Sequence, residues 1–173
     1  GGGLVHLWNI NNLLESKHIN ASASLITAFD ANEERNRFVI ATNTRRIHVF
    51  DFDGKEIFEF KDKLEDHKNS ETIRTIQISP DGSTVASSGF NKAKSFKVGE
   101  GDNVIRIWDM NRGTLYKLLE GQVNPILTFD FHPKENEVVT LGEERILTFW
   151  DFDVAEKYGE FRLQEPKREI PPK

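Results

Sequence analysis

Short segments in which apolar and polar residues alternate recur along the whole chain. Four of them are alike, namely VHLWN at Val5–Asn9, IHVFD at Ile47–Asp51, IRIWD at Ile105–Asp109 and LTFWD at Leu147–Asp151. Alternation of this kind is typical of a β-strand that buries one face. Each segment ends in an aromatic residue followed by Asp or Asn, and helical periodicity is not convincing anywhere. The pattern therefore predicts an all-β chain.

The aromatic residues of these segments recur at a regular interval. Trp8, Phe50, Trp108 and Trp150 are separated by 42, 58 and 42 residues. A period of roughly 40–45 residues indicates a repeated unit of several strands, and the longer spacing equals one period plus an insertion of about 16 residues. The remaining strands are predicted at Leu25–Phe29, Phe38–Ala41, Glu56–Phe60, Ile73–Ser79, Val85–Gly89, Thr114–Leu119, Ile126–Phe131, Glu137–Leu141 and Tyr158–Leu163.

The repeated units resemble WD40 repeats. The phrases SPDGSTVASSG and DNVIRIWD carry this resemblance, FDFHP and LTFWD support it, and it extends to about Leu163. It implies an all-β, WD40-type β-propeller of roughly three and a third blades. We expect the end of a blade in 1–20, a blade in 21–61, a blade in 73–120 with an insertion at 90–101, a blade in 124–163, and a charged, proline-containing tail in 164–173.

The number of blades suggests that the ring is incomplete. A propeller closes with typically about 4–8 blades, and closure hides the strand edges. The chain begins in mid-blade, with one trailing strand of an incomplete unit before the first full one. We therefore expect the C-terminal part of a larger closed propeller, with the remaining blades on the same chain or on another one.

The resemblance also implies hydrogen bonds that tie the strands of a blade together. WD40 repeats often carry a His–Ser–Asp–Trp tetrad, and in the third unit this tetrad would be His67, Ser88, Asp102 and Trp108. In the other units Phe50 replaces a tryptophan, and Gln122 follows a glycine where histidine is common. We expect those blades to depend on packing rather than on polar hydrogen bonds.

Two long insertions are the candidate partner-binding segments. In a WD40 blade the loops at 61–72 and 90–101 would emerge on the same face, usually called the top. A basic loop that carries an aromatic residue, next to an acidic loop, could form a protein-binding rim. The alternative is that both segments are solvent-exposed loops that bind no partner. The candidate partner-binding residues are Lys92, Lys94, Phe96, Lys97, Glu65, Asp66 and Arg45.

Composition narrows the chemistry that the chain could perform. The chain has no cysteine and a net charge of -5, which argues against a disulfide framework, a thiolate zinc site and a broad nucleic-acid footprint. The five histidines are scattered without metal-ligand spacing, and no serine is accompanied by an ordered base and acid. Apolar runs are too short to cross a bilayer. We predict no cofactor, no metal, no catalytic residue and no membrane partner.

The predicted function is that of a non-catalytic protein-interaction scaffold, as a WD40 propeller subunit of a multiprotein assembly. The predicted localisation is intracellular, with the cytoplasm favoured and the nucleus or cilium as alternatives. One alternative function is the regulatory propeller of a larger multidomain enzyme. Another is a structural subunit of an RNA-containing complex, with phosphate contacts from Lys92, Lys94 and Lys97. A third is a structural subunit of a microtubule or ciliary complex, because Val138–Trp150 is similar to the repeats of microtubule-associated and ciliary WD-repeat proteins.

Overall fold

The computed structural model describes residues 3–8, 11, 16–60, 72–90, 103–123 and 125–164, with only the backbone of Phe90. Within these residues the chain forms four antiparallel sheets and no helix. None of the described residues therefore belongs to a helix that could cross a membrane. The all-β fold class predicted from the alternating pattern is confirmed.

The strands of each sheet follow one another in space in the order in which they occur along the chain. Sheet 1 contains β1 (Gly3–Trp8) and β2 (Ser16–Ser22). Sheet 2 contains β3 (Ile26–Asn32), β4 (Arg37–Thr42), β5 (Ile47–Phe50) and β6 (Glu56–Glu59). Sheet 3 contains β7 (Thr72–Ile78), β8 (Thr84–Phe90), β9 (Ile105–Asp109) and β10 (Thr114–Leu119). Sheet 4 contains β11 (Ile126–Phe131), β12 (Glu137–Gly142), β13 (Ile146–Asp151) and β14 (Glu156–Arg162).

The hydrophobic core lies between neighbouring sheets, in three separate clusters. Val5 and Ile19 of sheet 1 pack on Phe38, Ile40 and Phe50 of sheet 2. The cluster between sheets 2 and 3 contains Val39, Val49, Phe60, Ile76 and Trp108, among others. The cluster between sheets 3 and 4 contains Ala86, Ile105, Ile107, Phe129 and Trp150, among others. Because successive side chains of a strand point to opposite faces, each inner sheet supplies side chains to two cores. This arrangement is a stack of propeller blades.

The beginning of the chain differs from the single trailing strand that the sequence predicted. β2 pairs with β1 along its length, so sheet 1 has two strands. Its tryptophan is nevertheless poorly covered: Trp8 is 58% exposed, whereas Trp108 and Trp150, at the same place in their sheets, are 4% and 1% exposed. The difference arises because Val5 points to sheet 2, whereas Trp8 lies on the other face of sheet 1, which no described sheet covers.

Candidate functional site

The indole of Trp108 connects two strands of sheet 3 by a buried hydrogen bond. Its Nε1–H donates to Ser87 Oγ at 2.8 Å, and both side chains are almost fully buried. Trp108 lies opposite Val85 in the register of β8 and β9, so Ser87 is the next residue of β8 on that same face. The bond satisfies a donor whose burial without a partner would be costly.

The sequence assigned this acceptor to Ser88, and the structure shows Ser87 instead. Adjacent residues of a strand point to opposite faces, so Ser88 cannot share the face of Val85 and Ser87. The Ser88 hydroxyl is buried and has no hydrogen-bond partner among the residues that the structure describes. His67 and Asp102 lie outside the described residues, and their membership of the tetrad remains a prediction.

Sheet 4 contains an equivalent polar chain that the sequence did not predict. Trp150 Nε1–H donates to Thr140 Oγ1 at 3.2 Å, and the threonine hydroxyl donates to Gln122 Oε1 at 2.6 Å. Thr140 is fully buried. This blade was expected to depend on packing more than on polar hydrogen bonds, and it nevertheless contains this buried polar chain. Gln122 stands where histidine is common, and its amide oxygen accepts the hydrogen bond of the Thr140 hydroxyl.

Sheet 2 has apolar side chains at these positions and is held by packing, as the sequence predicted. The rings of Phe38 and Phe50 stack with their centroids 5.1 Å apart and their planes 9° apart. Ile40, which is fully buried, occupies the place that Ser87 and Thr140 hold in the other sheets. A phenyl ring has no N–H to satisfy, so an aliphatic neighbour suits it. In the sequence, this apolar arrangement is visible only as Phe50 at the tryptophan position and Ile40 at the position of the hydroxyl residue.

Most of the predicted partner-binding residues cannot be placed. Lys92, Lys94, Phe96, Lys97, Glu65 and Asp66 lie outside the described residues. Arg45 is described, and it is exposed in the turn between β4 and β5. It has a left-handed φ of 67°, and Arg145 has a φ of 62° in the corresponding turn of sheet 4. The backbone conformation of Arg45 is therefore a repeated feature of the fold, and its side chain remains a partner-binding candidate.

The hairpin between β7 and β8 contains a carboxylate held by its own turn. Asp81 Oδ1 accepts hydrogen bonds from Ser79 Oγ at 2.6 Å and from the Ser83 amide at 3.0 Å. Burial alone would raise the pKa of Asp81, but these hydrogen bonds and the charge of Arg35 outweigh it and lower the pKa. No group of three or more potential metal ligands occurs among the described residues.

Four-stranded antiparallel sheets that stack through aromatic cores define the class of the molecule as a β-propeller. Residues 58–109 match the family model of the WD domain, G-beta repeat. The solved structure titled "Structure of U3-55K" superposes with a TM-score of 0.65 at 13% identity, covering 82% of this chain and 40% of that one, which shows the fold alone.

Curated relatives agree with this class. The chain is similar to THO complex subunit 6 homolog of Danio rerio (37% identity over 60 residues, 35% of this chain), to nuclear distribution protein PAC1 of Coccidioides posadasii strain C735 (32% over 79 residues, 41%) and to transcriptional corepressor LEUNIG_HOMOLOG of Arabidopsis thaliana (22% over 139 residues, 79%). The chain spans 19%, 17% and 16% of these proteins, respectively. The comparisons therefore support WD40 repeats as the repeated unit of this propeller.

Proposed function

We propose that the chain is part of a WD40 propeller that serves as a non-catalytic protein-interaction scaffold within a multiprotein assembly. The names of two relatives, a complex subunit and a corepressor, support a role in assemblies. Those names do not favour the predicted cytoplasm over the nucleus, so for localisation we propose only that the protein is intracellular. The observation that carries the proposal is a face of sheet 4 that no other described residues cover.

This uncovered face, hereafter the open face, has the composition of a protein core. It consists of side chains from β12, β13 and β14 that point away from sheet 3, namely Val139, Leu141, Leu147, Phe149 and Phe161. Corresponding residues of sheet 2, such as Val39 and Val49, are completely buried by sheet 3. Phe161, in contrast, is 57% exposed, and the other four residues of the open face are only partly buried. Covering one aromatic side chain of this kind contributes about 2–3 kcal/mol, so a protein surface is the expected occupant.

A polar group on the same edge supports this interpretation. In sheet 2, Asp30 Oδ2 accepts a hydrogen bond of 2.7 Å from the backbone amide of Ile78 in the inner strand of sheet 3. Asp130 holds the same place in β11, opposite Val139 as Asp30 is opposite Val39. Asp130 is exposed, and its carboxylate accepts from the amide of its neighbour Phe131 at 2.9 Å. The edge of sheet 4 thus carries an acceptor suited to the inner strand of a further blade.

The test is photocrosslinking from the open face in cells. A benzoylphenylalanine at Phe161 in the complete protein is expected to crosslink to a second protein chain, which mass spectrometry would identify. A crosslink to another part of the same polypeptide would show that a further blade covers this face, and the scaffold proposal would then lose this support. The matched control is Tyr116, an aromatic residue of β10 that is 43% exposed outside the open face. Equal, low crosslinking at both positions would contradict the proposal that this face is covered.

The other functions predicted from the sequence remain open proposals. The RNA alternative depends on Lys92, Lys94 and Lys97, which lie outside the described residues. RNA binding that weakens steeply with salt and disappears in the triple alanine variant would support it. The regulatory alternative requires a catalytic segment elsewhere in the complete protein, which its full sequence would show.

A further inference from the structure

A groove opens between sheets 2 and 3 at the end where the β3–β4 and β7–β8 hairpins turn. Its volume is about 640 Å³. It lies at the end of sheet 2 opposite the β4–β5 turn, because successive connections of an antiparallel meander alternate between the two ends. The sequence predicted its top-face loops at that opposite end. This groove is therefore a surface that the sequence did not single out.

The floor of the groove is apolar. Ile57 of β6 is 37% exposed, and Phe58 beside it is partly buried against the core between sheets 2 and 3. Met110, at the end of β9, belongs to the same core. The Phe58 ring is held edge-on against Phe60, with centroids 5.1 Å apart. The floor can therefore receive an apolar side chain without rearrangement of the core.

One wall of the groove is basic. Arg35 and Arg37 come from the β3–β4 hairpin, and both line the groove. Asp81 is the one carboxylate among the lining residues, and it accepts hydrogen bonds from Ser79 and Ser83 in its own turn. The lining therefore carries two guanidinium groups and one carboxylate, in a chain whose net charge is -5. The charge of this wall favours an anionic occupant.

Hydrogen bonds between the two hairpins hold the walls in place. Asn32 Nδ2 donates to the carbonyl oxygens of Ser79 at 3.3 Å and Pro80 at 3.2 Å. The Asp30–Ile78 bond joins the inner strands directly behind them. A preformed groove loses little conformational freedom when it is occupied, which favours binding.

We propose that this groove binds an acidic peptide segment of another protein. A carboxylate of the peptide contacts Arg35 and Arg37, and an adjacent apolar side chain covers Ile57, Phe58 and Met110. A phosphate or a free carboxylic acid would satisfy the basic wall but would leave the apolar floor uncovered. The inference rests on the proposed scaffold function and names a partner class for a second surface, separate from the open face.

The test is selection of phage-displayed random dodecapeptides on the complete protein. Enriched peptides are expected to carry Asp or Glu next to Leu, Ile, Val or Phe. Their affinity, measured by fluorescence anisotropy, is expected to fall at least about tenfold in the Arg35→Ala/Arg37→Ala variant, because each charge-assisted hydrogen bond contributes on that order. Replacing the acidic residues of the peptide by Asn or Gln is expected to cause a similar loss.

Two further variants separate the groove from general charge effects. Arg112→Ala removes a cation that is 75% exposed at the same end of sheet 3 and does not line the groove, so affinity should be unchanged. Ile57→Ser should weaken binding severalfold. Failure to enrich acidic peptides would overturn the proposed peptide site. An equal loss of affinity in Arg112→Ala and in the double variant would overturn it as well. Crosslinking at Phe161 is independent of these outcomes, so the scaffold proposal would stand or fall separately.

Discussion

The serine pair of β8 shows how one residue step decides the role of a side chain. Ser87 and Ser88 are chemically identical and equally buried, but only Ser87 faces the indole of Trp108. The family pattern indicated that a serine of this strand is used, but the sequence assigned that role to Ser88, which is the wrong one of the pair. The register between β8 and β9 determines which serine faces the indole, because Val85 lies opposite Trp108 and Ser87 is the next residue on that face. The same geometry assigned Thr140 to Trp150 in sheet 4.

This difference gives a matched test at the residue scale. Ser87→Ala leaves the buried Trp108 N–H without an acceptor, so the free energy of unfolding should fall by about 1–3 kcal/mol. Ser88→Ala removes a hydroxyl that has no partner among the described residues, so the change should be within about 0.5 kcal/mol or stabilising. Denaturant unfolding of both variants measures the values. If Ser88→Ala were the more costly variant, the assignment of Ser88 to the tetrad would be restored.

At the scale of the element, the hairpin between β7 and β8 depends on the ionised form of Asp81. Its pKa in the folded protein lies below the ordinary value of 3.8. A carboxyl group with a lowered pKa stabilises the fold above its unfolded pKa, and that contribution disappears as the pH falls through the folded pKa. The difference in unfolding free energy between the wild type and Asp81→Asn should therefore be constant at neutral pH and shrink as the pH falls from about 5 to about 3.

Thermal or denaturant unfolding at several pH values measures this difference. Asp53→Asn is the matched control, because Asp53 also lies in a hairpin turn but is 87% exposed and is paired with a surface lysine. A wild-type advantage over Asp81→Asn that persists unchanged at the acid end would contradict the role of the ionised carboxylate.

The accuracy of the strand predictions follows from the strength of the local pattern. The limits predicted for β10 and β11 coincide with the structure, because alternating side chains are followed there by residues suited to turns. β2 was missed, since Ser16–Ser22 is largely polar and buries only Ile19 and Ala21. A strand that is held mainly by backbone pairing to its neighbour leaves little periodicity in its sequence.

At the scale of the whole molecule, the sheets are coupled by buried contacts rather than by surface ion pairs. Asp30 accepts a hydrogen bond from the Ile78 amide of the next sheet in a half-buried site. The Lys17–Asp53 ion pair, in contrast, joins sheets 1 and 2 at 3.2 Å on the solvent-exposed surface. Asp30→Ala should lower the free energy of unfolding by about 1.5–3 kcal/mol. Asp53→Ala should change it by less than about 1 kcal/mol.

Hydrogen exchange distinguishes this coupling from a general loss of stability. In Asp30→Ala the amide of Ile78 should exchange faster, while amides within β12 and β13 should keep their protection, because each blade contacts only its neighbours. Uniform acceleration in all sheets would mean that Asp30 acts on global stability and does not specifically couple sheet 2 to sheet 3.

The sequence by itself determined the class of the protein. Alternation predicted the strands, the spacing of Trp8, Phe50, Trp108 and Trp150 indicated the repeated unit, and short phrases showed its resemblance to WD40 repeats. These properties are local or periodic, so they can be found along one dimension. Only the tertiary structure decided which serine accepts the Trp108 bond, that Gln122 and Thr140 complete a chain in sheet 4, and that Arg35 and Arg37 lie above an apolar floor from another strand. Each of these depends on strand register and on the stacking of sheets, which bring together residues that are distant in the sequence.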